Sequence, residues 1–257
     1  DRLDTVMIYG IGRWGDLEKK PLLSFWGCTD DYATRTGITD NRPNDFINAL
    51  IVSVGSPELP YVISAKAMVN DILTTANDNP PQGYKGLLEG LEAGDDSLQE
   101  NYGTRDASVK KGSSTNIKSG NVAELNDIVT MYHPAKEGNY PSRRYVVDLI
   151  KLENVIYNVR LIMEADGLKS APLIRDEEVT SNKAAIQPKT VKTWLLNLTK
   201  DLIKKALLQD YDTTKDGLEV AIDSENPKRL NTNIPVKLSG NVEVTSTDID
   251  YGFYVGK

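Results

Sequence analysis

Apolar residues along this chain are arranged in two ways. In the first hundred residues they form short continuous runs that end at glycine: Thr5 to Tyr9 before Gly10, Leu22 to Trp26 before Gly27, and Ala49 to Val54 before Gly55. Runs of this length and composition predict strands buried on both faces, as in an α/β sheet. Ser56-Pro57-Glu58 then reads as a helix start, with a capping hydroxyl, a proline and an acid in the first turn. Ile63, Ala67 and Ile72, with Ala65, Met68 and Val69, carry that helix to about Ala76, where Asn77 to Pro81 stop it.

A weak strand is predicted near Tyr84 to Leu88, followed by a polar surface loop from Glu92 to Thr104. Thr104 caps a short helix, Arg105 to Lys111, closed by Gly112. Ser113 to Lys118 and Val122 to Tyr132, joined by Ser119-Gly120-Asn121, predict a hairpin. From Ser142 the spacing lengthens. Leu149, Leu152, Ile156, Val159 and Met163 form one helical face, with Gly167 just beyond its end. Pro188 and Thr190 open a second long helix whose stripe is Val191, Leu195, Leu198, Leu202 and Ala206. Lys192, Lys200, Lys204 and Lys205 lie off that stripe. The end of the chain returns to strand: Val242 and Val244 alternate on one face, and Ile249, Tyr251, Phe253 and Val255 on another. A bend near Thr247 accounts for the change of phase. The outline is an α/β part, residues 1–102, followed by an α+β part, residues 103–257, with a terminal strand.

Composition narrows the function classes. The 257 residues include 37 Asp and Glu against 30 Lys and Arg, a formal net charge of −7. That balance argues against a dedicated nucleic-acid binder, which needs a basic face. No apolar run approaches the roughly 18 residues of a membrane-spanning helix. The single cysteine, Cys28, makes no intrachain disulfide and reads as a buried structural thiol. The chain opens on Asp1 without a basic and apolar leader, which reads as a processed chain or part of a longer one.

The candidate chemistry is sparse. Gly10-Ile11-Gly12-Arg13-Trp14-Gly15 is a literal G-x-G-x-x-G with Asp30 and Asp31 about twenty residues on, the spacing of a dinucleotide fingerprint. Only Asp16 to Lys20 separate it from Pro21, too few residues for the crossover helix between parallel strands. The motif therefore reads as a glycine-rich turn. His133 is the only histidine, so no Ser–His–Asp set is available and ordinary zinc sites have too few ligands. Asp30-Asp31, Asp95-Asp96 and Glu177-Glu178 are adjacent acids in turn-like contexts, and nothing singles out a catalytic pair. No catalytic, cofactor-binding or metal-binding residue is assigned, and no cofactor is expected. What remains is surface made for pairing. Aromatic β-formers at a chain end either complete the chain's own sheet or add to a neighbour's.

Several segments together resemble the tail sheath protein of contractile bacteriophages, of the phage Mu type. They are Gly55-Ser56-Pro57-Glu58-Leu59-Pro60-Tyr61 followed by Ala65 and Ala67; Asp78-Asn79-Pro80; and Arg105 to Lys111 with Gly112-Ser113-Ser114-Thr115. Further along come Gly120-Asn121-Val122, Val129-Thr130-Met131-Tyr132, Tyr145 with Leu149, Leu152 and Arg160, and Arg229-Leu230-Asn231 with Pro235 before the terminal strand. Met131, Ile117 and a short stretch from Gly12 to Pro21 depart from the family pattern. The resemblance implies a subtilisin-like α/β sheath domain with no protease activity, then a C-terminal α+β sheath domain, in a chain lacking its N-terminal part. It also implies arms that add strands to neighbouring subunits, here Val242, Val244, Ile249, Tyr251, Phe253 and Val255. Lys192, Lys200, Lys204 and Lys205 become candidates for a tube-facing surface. The implied partners are further copies in stacked hexameric rings, the tail tube protein, the baseplate and the tail terminator, with no nucleic acid and no membrane insertion. The implied location is the virion tail, assembled in the host cytoplasm. The function expected is helical polymerisation around the tube and contraction that drives it into a host cell. A baseplate-type component is the second reading, and a nucleotide-binding α/β enzyme the third.

Overall fold

The computed structural model describes residues 1–15, 17–77, 82–135 and 143–242. Its elements, in chain order, are α1 (Arg2–Trp14), β1 (Ser24–Cys28), α2 (Tyr32–Thr39), β2 (Asn48–Val52), α3 (Pro60–Asn77), β3 (Gly86–Glu92), α4 (Tyr102–Lys110), β4 (Thr115–Ser119), β5 (Val122–Asp127) and α5 (Val146–Met163). They continue with α6 (Pro188–Lys204), β6 (Leu208–Gln209), α7 (Tyr211–Gly217), β7 (Glu219–Ile222), β8 (Leu230–Asn233) and β9 (Lys237–Leu238). The result is an α+β mixture of helices and small sheets.

β1 and β2 pair in parallel, Ser24 opposite Asn48 through Cys28 opposite Val52. Both faces of this pair are covered. On one face Ala49, Ile51 and Phe25 pack with Ile63 and Ala67 of α3, Leu88 and Leu91 of β3, and Leu125 of β5. On the other, Leu50, Val52, Cys28 and Trp26 pack with Leu3 of α1 and Ile38 of α2. Gly27 is required here by close approach, because a Cβ on it would lie 1.6 Å from the Pro60 carbonyl oxygen at the start of α3.

The Thr5–Tyr9 run is helix rather than strand, which corrects the sequence expectation. Asp1 caps α1 by accepting from the Asp4 amide at 3.0 Å, and Arg42 forms ion pairs with Asp1 and Asp4. Leu3, Val6 and Trp14 then fall on one helical face against the core. The run suits either element by composition; the cap and the 3.6-residue spacing decide for helix. The glycine motif is accordingly not a turn after a strand. Gly10 and Gly12 lie inside α1 and Gly15 closes it. Gly10 lets the helix lie close on β2's approach, since a Cβ there would meet Ile47 Cγ2 at 2.4 Å.

β3, β5 and β4 form a three-stranded antiparallel sheet in that order, so the sheet takes strands from both sides of residue 102. The β4–β5 hairpin is the one expected from the sequence. α4 begins three residues earlier than expected, because Asn101 and not Thr104 provides the cap, accepting from the Thr104 amide at 2.9 Å. α6 matches its stripe, with Val191, Leu195 and Leu202 buried. Of the stripe expected on α5 only Leu149 is buried: the buried face runs through Val147, Lys151 and Val155, while Leu152, Ile156, Val159 and Met163 line a groove. Ala206 lies past the end of α6 with φ of +53°. β6 pairs with β9, and β7 with β8, both antiparallel, between α6 and the end of the described chain. The sequence reading does not foresee α2, α7 or these four short strands. Among the described residues no helix is long and apolar enough to cross a membrane.

Candidate subunit interface

α3 shows the clearest departure from an ordinary surface helix. Its inward face carries Ile63 and Ala67, and also Asp71, which is only 1% exposed. One carboxylate oxygen of Asp71 accepts from the Tyr84 amide at 3.3 Å, and the other has no hydrogen-bond partner. Burial pushes its pKa up to about 6, against the smaller opposing effect of that amide. The outward face is apolar: Tyr61 is 67% exposed and Ile72 49%, in line with Ala65, Val69 and Leu73. A shallow groove of about 420 Å³ runs beside it, floored by Val62, Lys66 and Glu89. Apolar residues in a row at helical spacing on the wet side make this face a candidate docking surface. The sequence held this signal, since positions 61, 65, 69 and 72 recur at helical spacing, but periodicity alone does not say which of two apolar faces is outermost.

A second candidate surface adjoins α5. A groove of about 1230 Å³ separates the end of α1 (Trp14, Leu17), one side of α5 (Leu152, Ile156) and the stretch through β8 (Leu230, Ile234). Near it the chain leaves the described fold. Lys151 of α5, 1% exposed, donates to the Ser239 carbonyl at 2.6 Å and to the Asn241 side chain, with Asp148 at 3.9 Å. This buried lysine fixes the root of the terminal segment, and sequence reasoning missed it because it sits next to an apolar stripe. Val242 is 81% exposed. The other predicted arm positions, Val244, Ile249, Tyr251, Phe253 and Val255, lie outside the described residues.

The four lysines are not gathered into one cluster by direct contacts. Lys200, Lys204 and Lys205 are exposed and Lys192 is half-buried. The Lys200 ammonium lies 5.2 Å from the centre of the Tyr211 ring, and Lys204 pairs with Asp201 at 3.3 Å.

Several of the residues weighed for chemistry are placed by their contacts. Cys28 is buried and its thiol is pushed up to about 11, chiefly by that burial. His133 lies with Nδ1 2.7 Å from the Met131 carbonyl and Nε2 3.5 Å from Asp40. Asp40 is held below the usual carboxylate range, mainly by its hydrogen bond from Lys111. Asp31 caps α2 through the Thr34 amide, and Asp96 pairs with Lys118 at 2.8 Å. Among the described residues no three His, Cys, Asp or Glu side chains gather as a metal site.

No protein-family model matches the sequence. The chain is 23% identical over 223 residues to the Mu-like prophage FluMu tail sheath protein of Haemophilus influenzae, an alignment covering 86% of this chain and 45% of that protein. The resemblance to contractile tail sheath proteins thus extends along most of the chain, which spans about half the length of this relative. In three dimensions the fold matches a chain in the cryo-EM structure of the anti-feeding prophage baseplate, 6-fold symmetrised. The TM-score is 0.59 at 11% identity, covering 98% of this chain and 65% of the other.

Proposed function

We propose that this chain is a structural, non-enzymatic subunit of a contractile phage tail sheath, which polymerises helically around the tail tube and contracts to drive the tube into a host cell. The observation that carries the reading is the similarity to a tail sheath protein over 86% of the chain. The covered β1–β2 layer belongs to a subtilisin-like sheath domain, residues 1–102, and residues 103–257 form the C-terminal sheath domain. The segment Val242 to Val255 is an arm that adds a strand to a neighbouring subunit. Main-chain pairing depends little on side-chain fit, so such a join survives the rotation of rigid subunits during contraction. The apolar row on α3 meets another subunit in the same array, a heterologous contact of the kind that builds open helices. Lys192, Lys200, Lys204 and Lys205 face the tube. Rings of six copies, the tube, the baseplate and the tail terminator are its partners, and the virion tail is its location after assembly in the host cytoplasm.

Negative-stain electron microscopy of the concentrated full-length gene product tests this. Hollow tubes or stacked rings are expected from the intact protein, and none from a variant lacking residues 243–257 whose helical circular dichroism is unchanged. Tubes formed by the truncated protein would overturn the arm. Uniform small particles from the intact protein would favour the second reading, a baseplate-type component, to which the baseplate origin of the structural match gives specific support.

A further inference from the structure

The parallel pair β1–β2 is closed on one edge and open on the other. On the closed side the carbonyls of Asn48 and Leu50 in β2 accept from the amides of Met131 and Ser114, at 2.8 and 2.9 Å. Toward β1, the Ser24 amide donates to the Ile47 carbonyl at 2.8 Å, and the Ser53 amide donates to the Cys28 carbonyl at 3.0 Å. Backbone groups alternate sides along a strand, so Ser24, Trp26 and Cys28 bond to β2 while Phe25 and Gly27 point the other way. Among the described residues no hydrogen bond reaches the amide or carbonyl of Phe25 or Gly27.

The composition of β1 does not suit an edge. Its residues are apolar on both faces: Phe25 packs into the cluster beneath α3, and Trp26 and Cys28 into the opposite one. It carries none of the devices that blunt exposed edges, no lysine, no proline and no bulge. β3 shows what a finished edge looks like here. Lys66 donates to the Glu89 carbonyl and the Tyr84 hydroxyl to the Leu87 carbonyl, which fills the outer side of that strand. α3 also packs more over β1 than over β2, so the covering layer is centred on the open side of the pair rather than between the strands. Every residue of β2 is buried, whereas β1 is half-buried up to Cys28.

We infer that β1 is an interior strand, and that its open edge is filled by one more β-strand from the part of the same polypeptide that lies outside these 257 residues. The occupant pairs with the amides and carbonyls of Phe25 and Gly27. It is about five residues long, matching β1. It is apolar on both faces, because it continues a layer already covered by α3 on one side and by α1 and α2 on the other. The sheath protein and the baseplate chain both extend well beyond the region this chain matches, so such polypeptide exists in its relatives. The inference stands apart from the sheath reading, since it rests on unpaired backbone groups and not on assembly.

Residue-resolved hydrogen–deuterium exchange on the full-length gene product, kept monomeric, tests it. The Phe25 and Gly27 amides are expected to exchange about a hundredfold more slowly than unstructured amides, as Trp26 does. Fast exchange at Phe25 and Gly27 beside a protected Trp26 would overturn the inference. So would protection that appears only on polymerisation, which would assign the edge to a neighbouring copy. Neither outcome bears on whether the protein forms tubes, so failure of this inference and failure of the sheath reading are separable.

Discussion

α3 and α6 are helices of nearly equal length, 18 and 17 residues, with opposite surfaces. α6 is a conventional amphipathic helix: Val191, Leu195 and Leu202 are buried, while Lys200, Asp201 and Lys204 face water. α3 places a carboxylic acid inward and an apolar row outward. Both pack a core, so burial of one face does not distinguish them. The difference lies in the opposite face, which is charged on α6 and apolar on α3.

Changes in the shared property, the buried face, have the largest expected effect. Leu195→Ala in α6 is expected to cost about 2–5 kcal/mol in denaturant unfolding, because its side chain is 1% exposed and its loss leaves a cavity. A cost near zero would mean that α6 packs no core.

The inward acid of α3 gives the next effect. Folded, the Asp71 carboxyl stays protonated up to about pH 6; unfolded, it ionises near pH 4. Its contribution is therefore full below about pH 4 and is lost as pH rises from 4 to 6, about 3 kcal/mol in all. Asp71→Asn is expected to remove that slope and to leave the protein more stable at pH 7 by about 2 kcal/mol. Glu153 of α5, pushed to about 7 by burial, adds a slope of the same sign that the variant retains. Unfolding curves at pH 4, 5, 6 and 7 measure the difference, and parallel profiles for the two proteins would place Asp71 in contact with water.

The outward faces give the smallest changes in stability and the sharpest contrast in assembly. Lys204→Ala removes an exposed ion pair with Asp201 and is expected to change stability by less than about 0.5 kcal/mol. Ile72→Ser is expected to cost equally little in the monomer. If α3 is an interface, the same change raises the critical concentration for polymerisation by about tenfold, the equivalent of one lost buried side chain. Equal critical concentrations for the two variants would remove α3 from the interface.

Sequence reading reached α3, α5 and α6 through their long period, the β4–β5 hairpin through its turn chemistry, and β2 through a continuous apolar run that no cap turns into helix. It failed at Thr5 to Tyr9, where a β-rich run of five is too short to fix its period and the cap at Asp1 decides. It failed again from Leu208 to Leu238, where strands of two to four residues are shorter than any pattern that alternation can register. The interface was legible only in part. The apolar positions of α3 are visible in the sequence, but their exposure depends on which face the β1–β2 layer takes. The role of Lys151 has no sequence signature, because its partners at Ser239 and Asn241 are some ninety residues away.

That lysine also determines how the molecule bears load. Tension applied to the chain beyond Asn241 is met first by an ammonium group buried in α5. The Val146 amide at the head of α5 donates to the Ile128 carbonyl at 3.1 Å, just after β5, and Val146 packs in the cluster that holds Ala49 and Ile51 of β2. A pull at the tail is therefore shared between α5 and, through the Ser239 amide on the Leu207 carbonyl and the pairing of β9 with β6, the segment that follows α6. The protein is built so that its rope is tied to its keel.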